Sequence, residues 1–100
     1  MSGSQAINED TIVGRNKDVV HSDLEGEKVL LSVQAGKYFR MNRTASRVWD
    51  LLEEPRSVSD ICDALVREYA VSYSSCLTDV SESLTGMARH GIVQIHHEPS

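Results

Sequence analysis

The pattern of apolar and polar positions changes twice along the chain. Residues 1–17 show no apolar periodicity, which is typical of a loose tail. Apolar and polar side chains then alternate, and this period of two predicts three successive strands at residues 19–23, 27–33 and 37–41. Beyond the third strand the apolar residues recur at helical spacing. The sequence therefore predicts a small antiparallel sheet that is followed by helices.

The loop between the second and third strands decides which side chains point into the core. Gln34-Ala35-Gly36 suits a three-residue hairpin loop in which the glycine takes a positive φ. That loop turns Phe39 and Met41 towards the core. Tyr38 and Arg40 then point the other way. On the second strand, the predicted core face consists of Val29, Leu31 and Val33. A slip of one residue would exchange the faces of a strand, so this register is a specific expectation.

Three helices are predicted after the sheet. Their candidate N-caps are Asn42 or Thr44, Ser57, and Ser74 or Ser75. Pro55 ends the first helix, the apolar face of the second runs from Val58 to Tyr69, and Gly91 supplies a C-cap for the third. Residues 92–95 suit a last short strand. The predicted fold class is therefore α+β, a winged helix-turn-helix with a three-stranded antiparallel sheet followed by three helices.

Length and charge narrow the function classes. The chain has 100 residues, which suits one folded domain at residues 18–95 between the N-terminal tail and a polar C-terminal tail at 96–100. The net charge of −5 argues against a phosphate-binding surface, because such surfaces cluster Lys and Arg. The third helix has no basic residue before Arg89, so nucleic acid is not an expected partner. Without an apolar span or a signal-peptide core, the chain is predicted to be cytoplasmic and not membrane-bound.

No residue pattern predicts chemistry. None of the four histidines forms a metal-ligand pair at helical spacing with a cysteine or a carboxylate, so no metal is expected. No motif places a nucleophile on a sharp turn beside a base, and the glycines do not form a phosphate loop. We therefore predict no catalytic residue, no cofactor and no enzymatic activity. Cys62 and Cys76 are predicted to be two thiols, with a disulfide as the alternative.

A longer run of the sequence resembles the PqqD-like family. The run combines an apolar strand, a Gly-basic-aromatic-aromatic-Arg segment, an aliphatic residue, Asn, and a Val-Trp pair. Its residues here are Val29-Leu30-Leu31, Gly36-Lys37-Tyr38-Phe39-Arg40-Met41-Asn42, Ala45, Val48-Trp49 and Leu52, followed by Val58, Ile61, Ala64-Leu65, Tyr69, Asp79-Val80, Leu84 and Gly91-Ile92-Val93. The likeness covers about residues 18–95. Met41 replaces the family's usual Leu, and the family's common Pro after Asn42 is missing.

The resemblance implies a function as well as a fold. Members of the family are precursor-peptide recognition elements, which take the leader segment of a ribosomally made peptide as an added strand on a winged helix-turn-helix. Free-standing members resemble the recognition subunit of lasso-peptide systems, which works beside a separate B2 cysteine protease. A second type serves a radical-SAM enzyme in pyrroloquinoline quinone synthesis as a chaperone. The short chain favours the lasso type, and a winged-helix DNA-binding protein is the further alternative.

Strand addition is expected at the third strand, whose edge exposes unpaired backbone groups. The residues then expected to contact a leader are Lys37, Tyr38, Phe39, Arg40 and Met41 on the strand and Cys76, Asp79, Val80, Ser83, Leu84 and Met87 on the third helix. Asp79 would pair with a basic leader residue, or it belongs to a solvated helix face. For the apolar members of this set, plain core packing is the competing interpretation. An exposed edge also permits a homodimer or strand exchange between two copies.

Overall fold

Strands and helices in the computed structural model, which describes residues 7–96, form two small sheets packed with three helices. The elements are β1 (Ile12–Arg15), β2 (Val19–Leu24), β3 (Glu27–Ser32), β4 (Lys37–Met41), α1 (Arg43–Leu51), β5 (Arg56–Ser57), α2 (Val58–Tyr69), α3 (Tyr73–Arg89) and β6 (Val93–His96). The sheet orders are β2-β3-β4 and β5-β1-β6, and all described pairings are antiparallel. The predicted α+β winged helix-turn-helix is confirmed, and the sheet β5-β1-β6 is an addition to it.

The strand β1 lies inside residues 1–17, where the sequence predicts a loose tail, and that prediction is wrong for this part of the chain. β1 is the central strand of its sheet, and Val13 is completely buried. The strand has only four residues and its two buried residues, Val13 and Gly14, are adjacent, so it shows no alternation in the sequence. Its partners β5 and β6 lie far away in the sequence. The folded part therefore begins before residue 18. Residues 1–6 and 97–100 of the two predicted tails lie outside the described range, and His96 ends β6.

The hairpin between β3 and β4 differs from its predicted register by one residue. Its loop has four residues, 33–36, and Gly36 at φ 67° donates its N–H to the Ser32 carbonyl at 2.9 Å. Leu30 therefore pairs with Phe39 and is completely buried, whereas Leu31 is 40 % exposed on the outer face. The expected core face of Val29, Leu31 and Val33 is thus wrong. The inward direction of Phe39 and Met41 is confirmed, since both pack against the core.

Local capping signals define the helix ends. Asn42 accepts a hydrogen bond from the Ala45 N–H at 2.8 Å, and Ser57 caps α2 in the same way. For α3 the cap is Ser72, whose Oγ accepts from the Ser75 N–H, so the prediction of Ser74 or Ser75 is wrong by two or three residues. The prediction for the C-terminal end of α3 is confirmed. Gly91 has φ 73°, and the N–H groups of Gly91 and Ile92 donate to the carbonyls of Ala88 and Met87, as in a Schellman motif.

A buried tryptophan connects the sheets to the helices. The Trp49 indole N–H donates to His21 Nδ1 at 3.2 Å, and this bond joins α1 to β2. The Arg15 guanidinium lies 4.3 Å from the ring centroid and donates to the Trp49 carbonyl at 2.8 Å, which joins β1 to the same helix. Three separate elements therefore meet at one side chain. None of α1, α2 and α3, the helices of the described range, has the length and apolarity that a bilayer crossing requires.

A two-point ion pair joins α1 to α2. Arg47 Nε and Nη2 donate to the two carboxylate oxygens of Glu68 at 2.9 Å and 2.5 Å. These hydrogen bonds and the positive charge of Arg47 lower the pKa of Glu68, although partial burial acts in the opposite direction. Because the folded-state pKa is lowered, the pair stabilises the fold above the ordinary Glu pKa and loses this effect as pH falls through the folded-state value.

We expect the stability difference between the wild type and Glu68→Gln to depend on pH. The wild type should be the more stable protein near neutral pH, and the difference should shrink as the pH falls below the ordinary Glu pKa and through the lowered folded-state pKa of Glu68. Urea unfolding followed by circular dichroism measures this. The control is Glu82→Gln, since Glu82 forms no ion pair within residues 7–96. A difference that stays constant for Glu68→Gln would show that the pair contributes nothing.

Candidate functional site

The strand β4 has one unoccupied edge among the described residues. It pairs with β3 alone, so its other side carries backbone N–H and C=O groups that point away from the sheet. Tyr38 and Arg40 are exposed on the outer face, whereas Phe39 and Met41 point inward. Phe39 also contacts the end of α3, where its ring centroid lies 5.0 Å from that of His90. An extended segment could add to this edge without displacing any strand within residues 7–96.

A cavity lies where the start of α1, the end of α2 and the start of α3 meet. Its volume is about 160 Å³, and its lining is mostly apolar. We call it the anchor cavity, and its lining residues are Arg43, Thr44, Leu65, Tyr69, Val71, Ser75, Cys76, Asp79 and Val80. Arg43 follows β4 by two residues, so the cavity lies beyond the Met41 end of the free edge. The edge and the cavity therefore form neighbouring parts of one surface.

Three of the sequence-predicted site residues line the anchor cavity, namely Cys76, Asp79 and Val80. Val80 and Leu84 are completely buried and Met87 nearly so, which makes core packing their first role. Ser83 is half-buried, and neither it nor Leu84 nor Met87 lines the cavity. Of the predicted α3 residues, those nearer the start of the helix therefore line the cavity, and those further along the helix do not. The role of each of these side chains in binding stays a prediction.

The sequence did not indicate most of the cavity wall. Tyr69, expected on the buried face of α2, is 46 % exposed at its end, and Val71 is also exposed. The chain turns between them at Ala70, a non-glycine residue with φ 54°, so no glycine or proline marks the turn. The one signal in the sequence that could have indicated this wall is the pair of large apolar residues, Tyr69 and Val71, on either side of the turn. Arg43, Thr44, Leu65 and Ser75 join the wall through tertiary packing alone.

The two cysteines lie beside the anchor cavity as free thiols, as predicted. Both are buried, and the Cys76 thiol donates to the Cys62 carbonyl at an Sγ–O distance of 3.8 Å. Burial raises the pKa of Cys62 to about 12, and the nearby Cys76 adds to the rise. Burial also raises the pKa of Cys76, although its hydrogen bond with Cys62 acts against this. Both groups are therefore protonated and weakly nucleophilic at neutral pH.

A second, more open groove adjoins the anchor cavity. It lies between the β2–β3 turn, the end of β4 and α1, and its volume is about 630 Å³. We call it the basic groove because four cations line it, Lys28, Arg40, Arg43 and Arg47. It shares Arg43 and Tyr69 with the anchor cavity, so the two spaces adjoin each other at these side chains. Within residues 7–96, no three His, Cys, Asp or Glu side chains lie together as a metal site.

Comparison with known proteins gives one family and three related structures. The family model for coenzyme PQQ synthesis protein D (PqqD) matches residues 27–93. TbiB1 in complex with the TbiA(beta) leader peptide is 30 % identical, with a TM-score of 0.76, over 85 % of this chain and 99 % of that one. Comparison with curated proteins finds no match.

Two further structures share the fold at lower identity. Lasso peptide synthetase B1 complexed with the leader peptide is 22 % identical, with a TM-score of 0.72, over 82 % of this chain and 96 % of that one. The PqqD truncation of Methylobacterium extorquens PqqCD, described as a functional and stand-alone RiPP recognition element, is 21 % identical, with a TM-score of 0.77, over 89 % of this chain and 95 % of that one. From the family match and the 30 % identical relative, we conclude that the chain belongs to the PqqD family.

Proposed function

We propose that this chain binds the leader segment of a ribosomally made precursor peptide and presents it to a separate B2 cysteine protease of a lasso-peptide system in the cytoplasm. The observation that carries the proposal is the free edge of β4, which leads to an apolar cavity at its Met41 end. A 30 % identical relative whose structure contains a leader peptide supports it.

Strand addition explains how such a peptide would be held. The backbone groups on the free edge of β4 would bond to the leader, and these bonds supply affinity with little dependence on sequence. Specificity then needs a side-chain pocket, because backbone groups are the same in every peptide. The anchor cavity has this role in the proposal, since it lies directly beyond the end of the strand.

The size and lining of the anchor cavity favour one apolar leader side chain. Its volume of about 160 Å³ is close to that of the engineered cavity of about 150 Å³ that binds benzene. One aromatic ring or one branched aliphatic side chain would fill it. Asp79 at its wall would accept a hydrogen bond from a basic leader residue beside this anchor.

The chain itself would act by binding and not by chemistry. Its best candidate nucleophiles, the two thiols, are buried and have raised pKa values. Leader removal would therefore belong to the separate protease, and the chain would raise the local concentration of its substrate. This division of work predicts that the chain accelerates cleavage only when the precursor carries its leader.

The proposal is tested by titrating the full chain against labelled leader peptides. The probes are the TbiA(beta) leader peptide and the leader of a precursor encoded beside this chain's gene, and fluorescence polarisation measures binding. In the complex, the amides of residues 37–41 should gain protection from hydrogen exchange, because they would be paired. The internal control is β2, the opposite edge of the same sheet, where protection should not change.

Two outcomes would reject the proposal. If neither leader peptide binds the chain, leader capture is wrong, and an accessory role without peptide affinity replaces it. If a peptide binds but protection appears at β2 or α1 and not at β4, strand addition at β4 is wrong. A gel shift with duplex DNA at several salt concentrations separates the winged-helix alternative, since phosphate contacts weaken steeply with salt.

A further inference from the structure

Cations are concentrated at one place on this acidic protein. The chain carries 10 Lys and Arg residues against 15 Asp and Glu residues. Four of the ten line the basic groove at the end of β4, against two carboxylates, those of Glu27 and Asp50. In a chain of net charge −5, this local excess of positive charge is opposite in sign to the molecule as a whole.

Two of the four cations have close internal partners. Lys28 lies 3.1 Å from Asp50 and 3.5 Å from Asp23, measured from Nζ to the carboxylate oxygens. Arg47 forms its two hydrogen bonds with Glu68. Both side chains are also only partly exposed, so their charges are largely neutralised by carboxylates of the protein itself.

The other two cations are available to a ligand. Arg40 has one partner, Glu27, at 3.8 Å, and its side chain is 79 % exposed. Arg43 is exposed and forms no ion pair with any residue in the range 7–96. The exposed ion pair between Arg40 and Glu27 neutralises little of the Arg40 charge, because both side chains are in water. The uncompensated charge of the groove therefore lies on Arg43, with Arg40 beside it.

Arg43 lies at the border between the two spaces. It lines the anchor cavity and the basic groove, so a peptide that fills the cavity and continues into the groove must pass this side chain. Asp79 lines the same cavity from α3. The cavity thus has a carboxylate on its α3 wall and a guanidinium on its α1 wall, so the two walls carry opposite charges.

We propose that the peptide held by this chain carries an acidic residue next to its apolar anchor, on the side facing α1, and that Arg43 binds its carboxylate. This inference rests on the proposed function and adds the charge of the ligand to it. A guanidinium can donate two parallel hydrogen bonds to a carboxylate, and this geometry makes binding depend on the position of the carboxylate as well as on its charge. Arg40 strengthens the attraction from the groove side. Because the pair is close to solvent, its loss should weaken binding by about twofold to fivefold and not abolish it.

The test is a display selection from random linear peptides on the immobilised full chain. Peptides selected by the wild type should be enriched in Asp or Glu at one position next to an apolar anchor. With Arg43→Glu, this enrichment should disappear and Lys or Arg should replace it at the same position. Arg43→Gln should remove the preference without reversing it. The matched control is Lys17→Glu, the same charge change at an exposed turn residue outside both spaces.

Folding should survive these substitutions, since Arg43 is the first residue of α1 and a carboxylate is favourable there. Circular dichroism checks this for each variant. Wild-type binders without an acidic preference, or an unchanged preference in Arg43→Glu, would overturn the inference and leave peptide capture standing. A Lys17→Glu variant that also reverses the preference would overturn it, because net charge would then be the cause. If no chain selects any peptide, the proposed function fails together with the inference.

Discussion

Replacing Trp49 by alanine is expected to reduce the free energy of unfolding by about 3–5 kcal/mol, as is usual for a buried aromatic side chain. The indole is 1 % exposed and connects α1 to β2 through His21 and to β1 through Arg15. Its removal would leave a cavity, and the side chains of His21 and Arg15 would lose the ring that they contact. Because domains of this size are stable by about 5–15 kcal/mol in total, the variant should be close to unfolding.

Urea unfolding followed by far-ultraviolet circular dichroism measures this loss, since the variant has no tryptophan left for fluorescence. The control is His21→Ala, which removes the acceptor of the indole N–H and keeps the ring. It should cost about 0.5–1.5 kcal/mol, the usual net contribution of one hydrogen bond, because His21 is exposed and water can take its place. A loss for Trp49→Ala no greater than that for His21→Ala would contradict the central packing role of the ring.

The second large effect is expected on binding. Ser75 is exposed and lines the anchor cavity, so Ser75→Trp should fill the cavity with its own indole and exclude the leader side chain. Burying one apolar side chain contributes about 1.5–3 kcal/mol, so the affinity for the leader peptide should fall about 10- to 100-fold. The capping bond of α3 uses the Ser75 backbone N–H and is retained.

Ser74→Trp is the matched control, because it makes the same change one residue earlier at an exposed position outside the anchor cavity. Its affinity in the polarisation titration should remain close to that of the wild type. Equal losses in the two variants would mean that a bulky ring anywhere at the start of α3 interferes. Unchanged affinity in Ser75→Trp would show that the cavity holds no part of the leader.

Local signals predicted the starts of α1 and α2 and the end of α3, whereas α1 ends at Leu51, before Pro55, and α3 starts earlier than predicted. The faces of strands and the distant contacts were also harder to predict. Asn42, Ser57 and Gly91 act through atoms within a few residues of themselves, so their motifs are complete in the sequence. The apolar run Val29-Leu30-Leu31 has no alternation, and its inward residue depends on one extra loop residue. A three-residue loop and a four-residue loop look alike in sequence, yet they exchange the faces of β3.

The candidate site was only partly predictable for a related reason. The edge of β4 follows from the order of strands, so the sequence could indicate it. The anchor cavity instead requires three helix ends to meet, and the turn at Ala70 that brings two of them together has no glycine or proline. Leu65 and Thr44 could therefore not be assigned to the same wall before the packing was known. The strand β1 was missed because it is held by pairing with β5 in the middle of the chain and with β6 near its opposite end.

The two buried thiols make the protein convenient to label at chosen points. Maleimides and similar reagents attack the thiolate, and burial keeps Cys62 and Cys76 both protonated and shielded from solvent. A cysteine introduced on the surface, for example by Ser74→Cys, would react first, so the native pair need not be removed. A dye attached at that position would lie beside the opening of the anchor cavity and could report the arrival of a peptide in real time.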